Sequence, residues 1–139
     1  MYLVDTNVIR EARKGRNADI GVQRFFHEAD LAHATLYLSA ITVGELHRGI
    51  ELIRYRGDAD QTAVLARWLE EILAEFSRNI LPVDHEAARL WGHLRFQHPE
   101  NEIDKLLAAT AMLHGLTLVT RNVKHVQSTG VRILNPFSH

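Results

Sequence analysis

The chain has 139 residues and a formal net charge of −1, from 17 acidic and 16 basic side chains, so bulk charge marks neither a nucleic acid nor an acidic ligand as its partner. It has no cysteine, which removes disulfides, thiolate metal sites and cysteine nucleophiles and fits a reducing compartment. No basic-then-apolar leader opens the sequence and no apolar run approaches the ~20 residues of a membrane helix, so a soluble cytoplasmic protein is expected.

Tyr2 to Val4 reads as a short buried strand, and Asp5-Thr6-Asn7 then turns the chain into a helical segment, Val8 to Arg13. A polar residue thus stands at the carboxyl end of a strand, the edge where open α/β sheets bind ligands. Ile20 to Ala34 carries Val22, Phe25, Phe26 and Ala29 on one helical face. A strand over Leu36 to Leu38 leads into a helix over Ile41 to Tyr55, with Leu46, Ile50 and Ile53 on one side. A second amphipathic helix, Asp58 to Phe76, follows Gly57, and this hairpin reads as core or as part of a dimer surface. Ile80 to Val83 is the next strand, and Asp84 to Phe96 the next helix. Ile103 to Leu113 is nearly all apolar, which predicts a helix lying deep against the sheet. Leu116 to Val119 repeats the opening pattern, a strand with Thr120-Arg121-Asn122 as its exit, and Arg132 to Leu134 is the fifth strand. Strands separated by helices predict an α/β fold with a mostly parallel sheet covered on both faces. No linker, repeat or low-complexity tract interrupts the pattern, so residues 1–139 are expected to form a single domain.

Three carboxylates open or enter these elements: Asp5, Glu45 and Asp104. With Asn122 they form an oxygen-rich set that, gathered together, would hold a hard divalent cation. Each also has a purely structural reading. Asp5 can cap a turn or helix, Asp104 can favour a helix amino end, and Thr42-Val43-Gly44-Glu45 has the form of a capping box. Beyond Asp104 there is no further acid, while Lys105, Arg121, Lys124 and Arg132 remain, with His125 and His139 close by; a basic stretch beside an acidic site would bring metal and phosphate together. The nine histidines include no HExxH pair, and only His125, near Asn122, stands close to the candidate site. Ser39 and Ser77 lack a GxSxG setting, which leaves acyl transfer without support. A receiver-like phosphoacceptor calls for an acidic pair after the first strand, and Asp5-Thr6-Asn7 has one acid.

Four motifs in order, LVDTNVIRE, YLSAITVGELHRGI, IDKLLAATAMLHGLTLVTRN and VRILNPF, resemble those of PIN-domain proteins, and more narrowly of VapC-type toxins of toxin–antitoxin pairs. The resemblance covers almost the whole length. It implies a PIN-like three-layer α/β/α sandwich, an Mg²⁺-dependent endoribonuclease (with Mn²⁺ as a substitute ion), homodimerisation, and inhibition by a cognate antitoxin in a complex that extends to operator DNA. Asp5, Glu45 and Asp104 match the family's acidic positions, with Asp5 and Asp104 as direct metal ligands, and Asn122 falls where many relatives carry a fourth acid. On this reading Glu45 orients or deprotonates the attacking water, while Asn122, Thr6 and Thr120 position the water or the scissile phosphate. Structured RNA such as tRNA is the substrate the resemblance suggests. An RNA-processing nuclease without toxin biology and a non-catalytic RNA-binding or regulatory module are the other readings the sequence leaves open.

Overall fold

A computed structural model describes residues 1–138 of the chain; His139, read above with the basic stretch, lies outside the described residues. Five strands, β1 (Tyr2–Val4), β2 (Leu36–Ser39), β3 (Ile80–Leu81), β4 (Thr117–Val119) and β5 (Ile133–Leu134), form one sheet in the order β3-β2-β1-β4-β5, and every pairing is parallel. Helices α1 (Thr6–Ala12), α2 (Ile20–Leu31), α3 (Ala40–Tyr55), α4 (Ala59–Glu75), α5 (His85–Arg95), α6 (Glu102–Leu113) and α7 (Val123–Val126) connect and cover them.

The two-residue period of the central strands sorts their side chains onto opposite faces. Val4 of β1 and Val119 of β4 join Val8, Val22, Leu46, Ile50 and Leu69 in one core, while Leu3 and Leu118 join Leu107, Ala108, Ala111 and Val126 in another. The sheet is therefore buried on both sides and the molecule has three layers, the α/β/α sandwich expected of the sequence. Full burial of each such Leu or Val contributes about 1.5–3 kcal/mol. The α6 helix is buried from Lys105 to Ala111, as its apolar run predicts.

Local chemistry sets the boundaries. Asp19, Asp58 and Asp84 cap α2, α4 and α5 by accepting amide hydrogen bonds from Val22, Gln61 and Ala87 respectively. Strand β3 is two residues rather than four because Pro82 has no amide to continue the ladder. Gly115 has φ +65° in the turn from α6 into β4, a conformation that suits a residue without Cβ. Gly21 answers a different need: a Cβ there would stand 2.1 Å from the carbonyl oxygen of Pro136, so Pro136 and Ser138 lie directly against α2. Ser138 completes that contact, with its amide and hydroxyl both donating to Asp19. Among the described residues no helix is long and apolar enough to cross a membrane.

Two expectations need correction. The capping box at Thr42 to Glu45 does not exist: β2 runs straight into α3, Ser39 caps the helix by accepting from the Ile41 amide, and both Thr42 and Glu45 lie inside it. Lys105 is also no part of a basic surface. It is 1% exposed, and its ammonium donates to the His98 carbonyl oxygen at 2.5 Å and faces Glu100 at 3.4 Å.

Candidate active site

Asp5 follows β1 directly, and its amide donates to the Val119 carbonyl oxygen at 2.9 Å, which ties the exits of the two central strands together. The side chain is enclosed at 4% exposure. Its Oδ1 accepts from the Thr6 amide at 2.6 Å, capping α1, and its Oδ2 accepts from the Thr120 hydroxyl at 2.6 Å. Burial pushes the Asp5 carboxyl above its ordinary value, the hydrogen bonds from Thr120 and Thr6 pull it back, and the charges of Asp104 and Glu45 push it up again. The capping and site readings of Asp5 are therefore compatible, because the same carboxylate caps α1 and feels both other acids.

Asp104 is the third residue of α6, with a side chain 19% exposed. Its Oδ2 lies 2.6 Å from Nδ1 of His125, on α7. Glu45, half-buried one turn into α3, completes the acidic group. Asn122 is the residue before α7; its amide donates to the Thr120 hydroxyl at 3.0 Å, and its side chain forms no capping bond. Asp5 thus feels the charges of Asp104 and Glu45, Thr6 and Thr120 hydrogen-bond its carboxylate, and the main chain of Asn122 is joined to it through the Thr120 hydroxyl. Thr6 reaches the carboxylate through its amide, and the hydroxyl of Thr120 is taken up by Asp5 and the Asn122 amide.

Asn7 is a participant that sequence reasoning passed over. Its side-chain Nδ2 donates to Asp5 Oδ2 at 3.3 Å and stands 3.5 Å from the Thr120 hydroxyl, while its side-chain Oδ1 accepts from the Arg121 main-chain amide at 3.3 Å. The available signal was its place two residues beyond Asp5. A second overlooked contact runs from the Arg10 guanidinium to the carbonyl oxygen of Glu45, at 3.2 Å, joining α1 to α3 beside the acids.

The donor set suits a hard cation. Its carboxylates offer only oxygen atoms, and among the described residues the enclosed Asp5 carboxyl is hydrogen-bonded by Thr6, Asn7 and Thr120 and by no basic side chain. Among the described residues no three His, Asp or Glu side chains are grouped closely enough to hold an ion between them. A hard cation that keeps several of its waters needs only one or two direct carboxylates.

Comparison with known proteins agrees with the fold. The PIN domain family model matches residues 2–127. The chain belongs to the PIN-domain family. This PIN domain is similar to the VapC ribonuclease Y4jK of Sinorhizobium fredii, 33% identical over 99% of this chain and 98% of that protein. It is also similar to toxin FitB of Neisseria gonorrhoeae, 34% identical over 99% of each. Among solved structures, FitAcB from Neisseria gonorrhoeae superposes with a TM-score of 0.84 at 34% identity, covering 98% of both chains. FitAB bound to an IR36 DNA fragment also gives 0.84, at 31% identity over 98% of this PIN domain and 95% of that chain.

Proposed function

We propose that this PIN domain is a divalent-metal-dependent endoribonuclease and the toxin of a toxin–antitoxin pair, acting in the cytoplasm as a homodimer that its antitoxin silences. The observation that carries this reading is the enclosed Asp5, on which the fields of Asp104 and Glu45 converge. The relatives named VapC ribonuclease and toxin FitB support the activity and the biology, and the FitAB complex with DNA supports an antitoxin partner and operator binding.

Asp5 and Asp104 would hold Mg²⁺, or Mn²⁺ in its place. The bound ion supplies charge neutralisation at the phosphoryl oxygens and lowers the pKa of a coordinated water. Thr6, Thr120 and Asn7 fix the Asp5 carboxylate, so it would need no reorientation to receive an ion. Glu45 forms no part of a helix cap and is free to orient the attacking water and accept its proton. The Asn122 side chain, a neutral donor and acceptor at the mouth of the β4 exit, positions the water or the scissile phosphate.

The antitoxin-free protein should cut RNA with Mg²⁺ or Mn²⁺ and stop in EDTA. Asp5→Asn and Asp104→Asn should each abolish cutting while the fold is retained. Undiminished cleavage in EDTA would sink the reading. Sequencing the 5′ ends of cellular RNA after brief induction names the target and tests whether it is tRNA.

A further inference from the structure

A cleft of about 360 Å³ opens between α1, α3 and α4. Asn7 stands at one end of it, beside Asp5, so the cleft leads directly out of the acidic site. Arg10, Arg13 and Lys14 line its α1 side against one acid, Glu11, whose carboxylate is already engaged by Lys14 at 2.9 Å and by the Asp19 amide at 2.8 Å. Neither guanidinium has a carboxylate partner among the described residues: Arg10 bonds the main-chain oxygen of Glu45, and Arg13 lies 5.9 Å from the centre of the Trp68 ring. The opposite wall is apolar, with Leu46, Ile50, Leu65 and Trp68.

A cleft with a cationic edge and an aromatic wall suits a single strand of nucleic acid, whose phosphates pair with arginines while unstacked bases lie on aromatic or guanidinium planes. At 1.5 Å of rise per residue, Arg10 and Arg13 stand about 7.5 and 12 Å along α1 from Asp5. They thus follow one another away from the place where the phosphate would be cut. Resting on the ribonuclease reading, we propose that this cleft is a substrate subsite: it seats the RNA strand flanking the scissile bond, with Arg13 on a phosphate and the adjoining base against Trp68. The subsite selects single-stranded RNA over duplex, since a paired base cannot turn out onto the indole.

The test uses a single-stranded RNA 12-mer carrying the step that the wild-type protein cuts, and a 4-mer with the same step that is too short to fill the cleft. Trp68→Leu should raise KM for the 12-mer about 10-fold, the scale of one lost base stack, with kcat and 4-mer cleavage unchanged. Arg13→Gln should raise KM for the 12-mer and lower the salt slope of its binding by about 0.7, the loss of one phosphate contact on a single strand. Arg13 is exposed, so this variant folds even if Trp68→Leu does not. Unchanged 12-mer kinetics in Arg13→Gln overturn the subsite while leaving the ribonuclease reading intact. Unchanged kinetics with weakened antitoxin binding also overturn it, and assign the cleft to the protein partner. If the wild-type protein cuts no RNA in Mg²⁺, the ribonuclease reading has itself failed and the subsite falls with it.

Discussion

His125 Nδ1 lies 2.6 Å from Asp104 Oδ2, so one of the two carboxylates assigned to the metal already accepts a hydrogen bond from an imidazole. The helix α7 that carries His125 is a single turn, and Val126, fully buried in the core behind it, fixes the direction from which the ring approaches. A cation drawing on Asp104 must share that oxygen, displace the ring or take Oδ1.

The first prediction follows from this contact. His125→Ala should raise the Mg²⁺ concentration for half-maximal cleavage about 10-fold, because the imidazole that holds the Asp104 carboxylate in place is gone, unless the ring's claim on Oδ2 outweighs that support, in which case the requirement falls. Isothermal titration with Mn²⁺ on the metal-binding reaction alone provides the check. A titration identical to wild type means that the imidazole neither supports nor obstructs the ion at Asp104.

Asp5 gives a prediction in pH. Its carboxyl is raised from 3.8, chiefly by burial, so the folded protein binds this proton more tightly than the unfolded chain does. The resulting stabilisation is complete below pH 3.8 and is lost as the pH rises through the higher folded value. In EDTA, Asp5→Asn should therefore melt at or above the wild-type temperature at neutral pH, and that advantage should vanish in acid. Bound metal competes with the same proton, so the Mg²⁺ requirement of the wild type should climb as the pH falls. Melting curves across a pH series measure the first effect, and cleavage titrations the second. A strongly lowered melting temperature in Asp5→Asn would show that the cap on α1 outweighs the charge.

At Glu45 stability and activity should separate. Since it caps nothing, Glu45→Gln should keep the wild-type melting temperature, while kcat falls about 100-fold or more if the carboxylate moves a proton. Single-turnover cleavage at saturating RNA reports this directly. Near-normal rates would reduce the acidic constellation to Asp5 and Asp104.

Asn122 carries a graded expectation. Asn122→Asp should reach half-maximal activity at lower Mg²⁺ because the site gains a negative charge, and Asn122→Ala should lose activity, though less than Asp5→Asn or Asp104→Asn. If neither variant alters the Mg²⁺ titration of cleavage, the amide belongs to the turn alone.

Lys105 should matter for stability. Lys105→Met keeps most of the buried volume but removes the charged hydrogen bond to His98, at a cost of about 1.5–3 kcal/mol. Chemical denaturation gives the number, and amide exchange should show faster opening of the residues between α5 and α6.

The strands and the long helices were legible because burial imposes a period. Leu3 against Val4 and Leu118 against Val119 alternate between the two cores, and the apolar run of α6 announces its depth. Asp5, Glu45 and Asp104 could be picked out because each stands near the beginning of a helix. What periodicity could not show was pairing across the chain. Asn7 and Thr120 meet though they are 113 residues apart, and His125 reaches Asp104 from a four-residue helix too short to leave a pattern. The capping box was misread because Ser39 and Thr42 have equivalent hydroxyls, and only the direct passage of β2 into α3 selects the first. Lys105 looked like surface charge; its long stem lets the ammonium reach the carbonyl oxygen of His98 from a buried position.

The bond from Thr120 to Asp5 spans 115 residues, and β1 lies at the centre of the sheet between β2 and β4. During synthesis the first strand therefore waits for nearly the last before its neighbours are complete. A ribosome-bound nascent chain holds Asp5 without the threonine that fixes it and without the second strand exit beside it. On the ribonuclease reading, the growing polypeptide would cut no RNA until β4 and Thr120 had been made, and an inhibitor would have that interval in which to be ready.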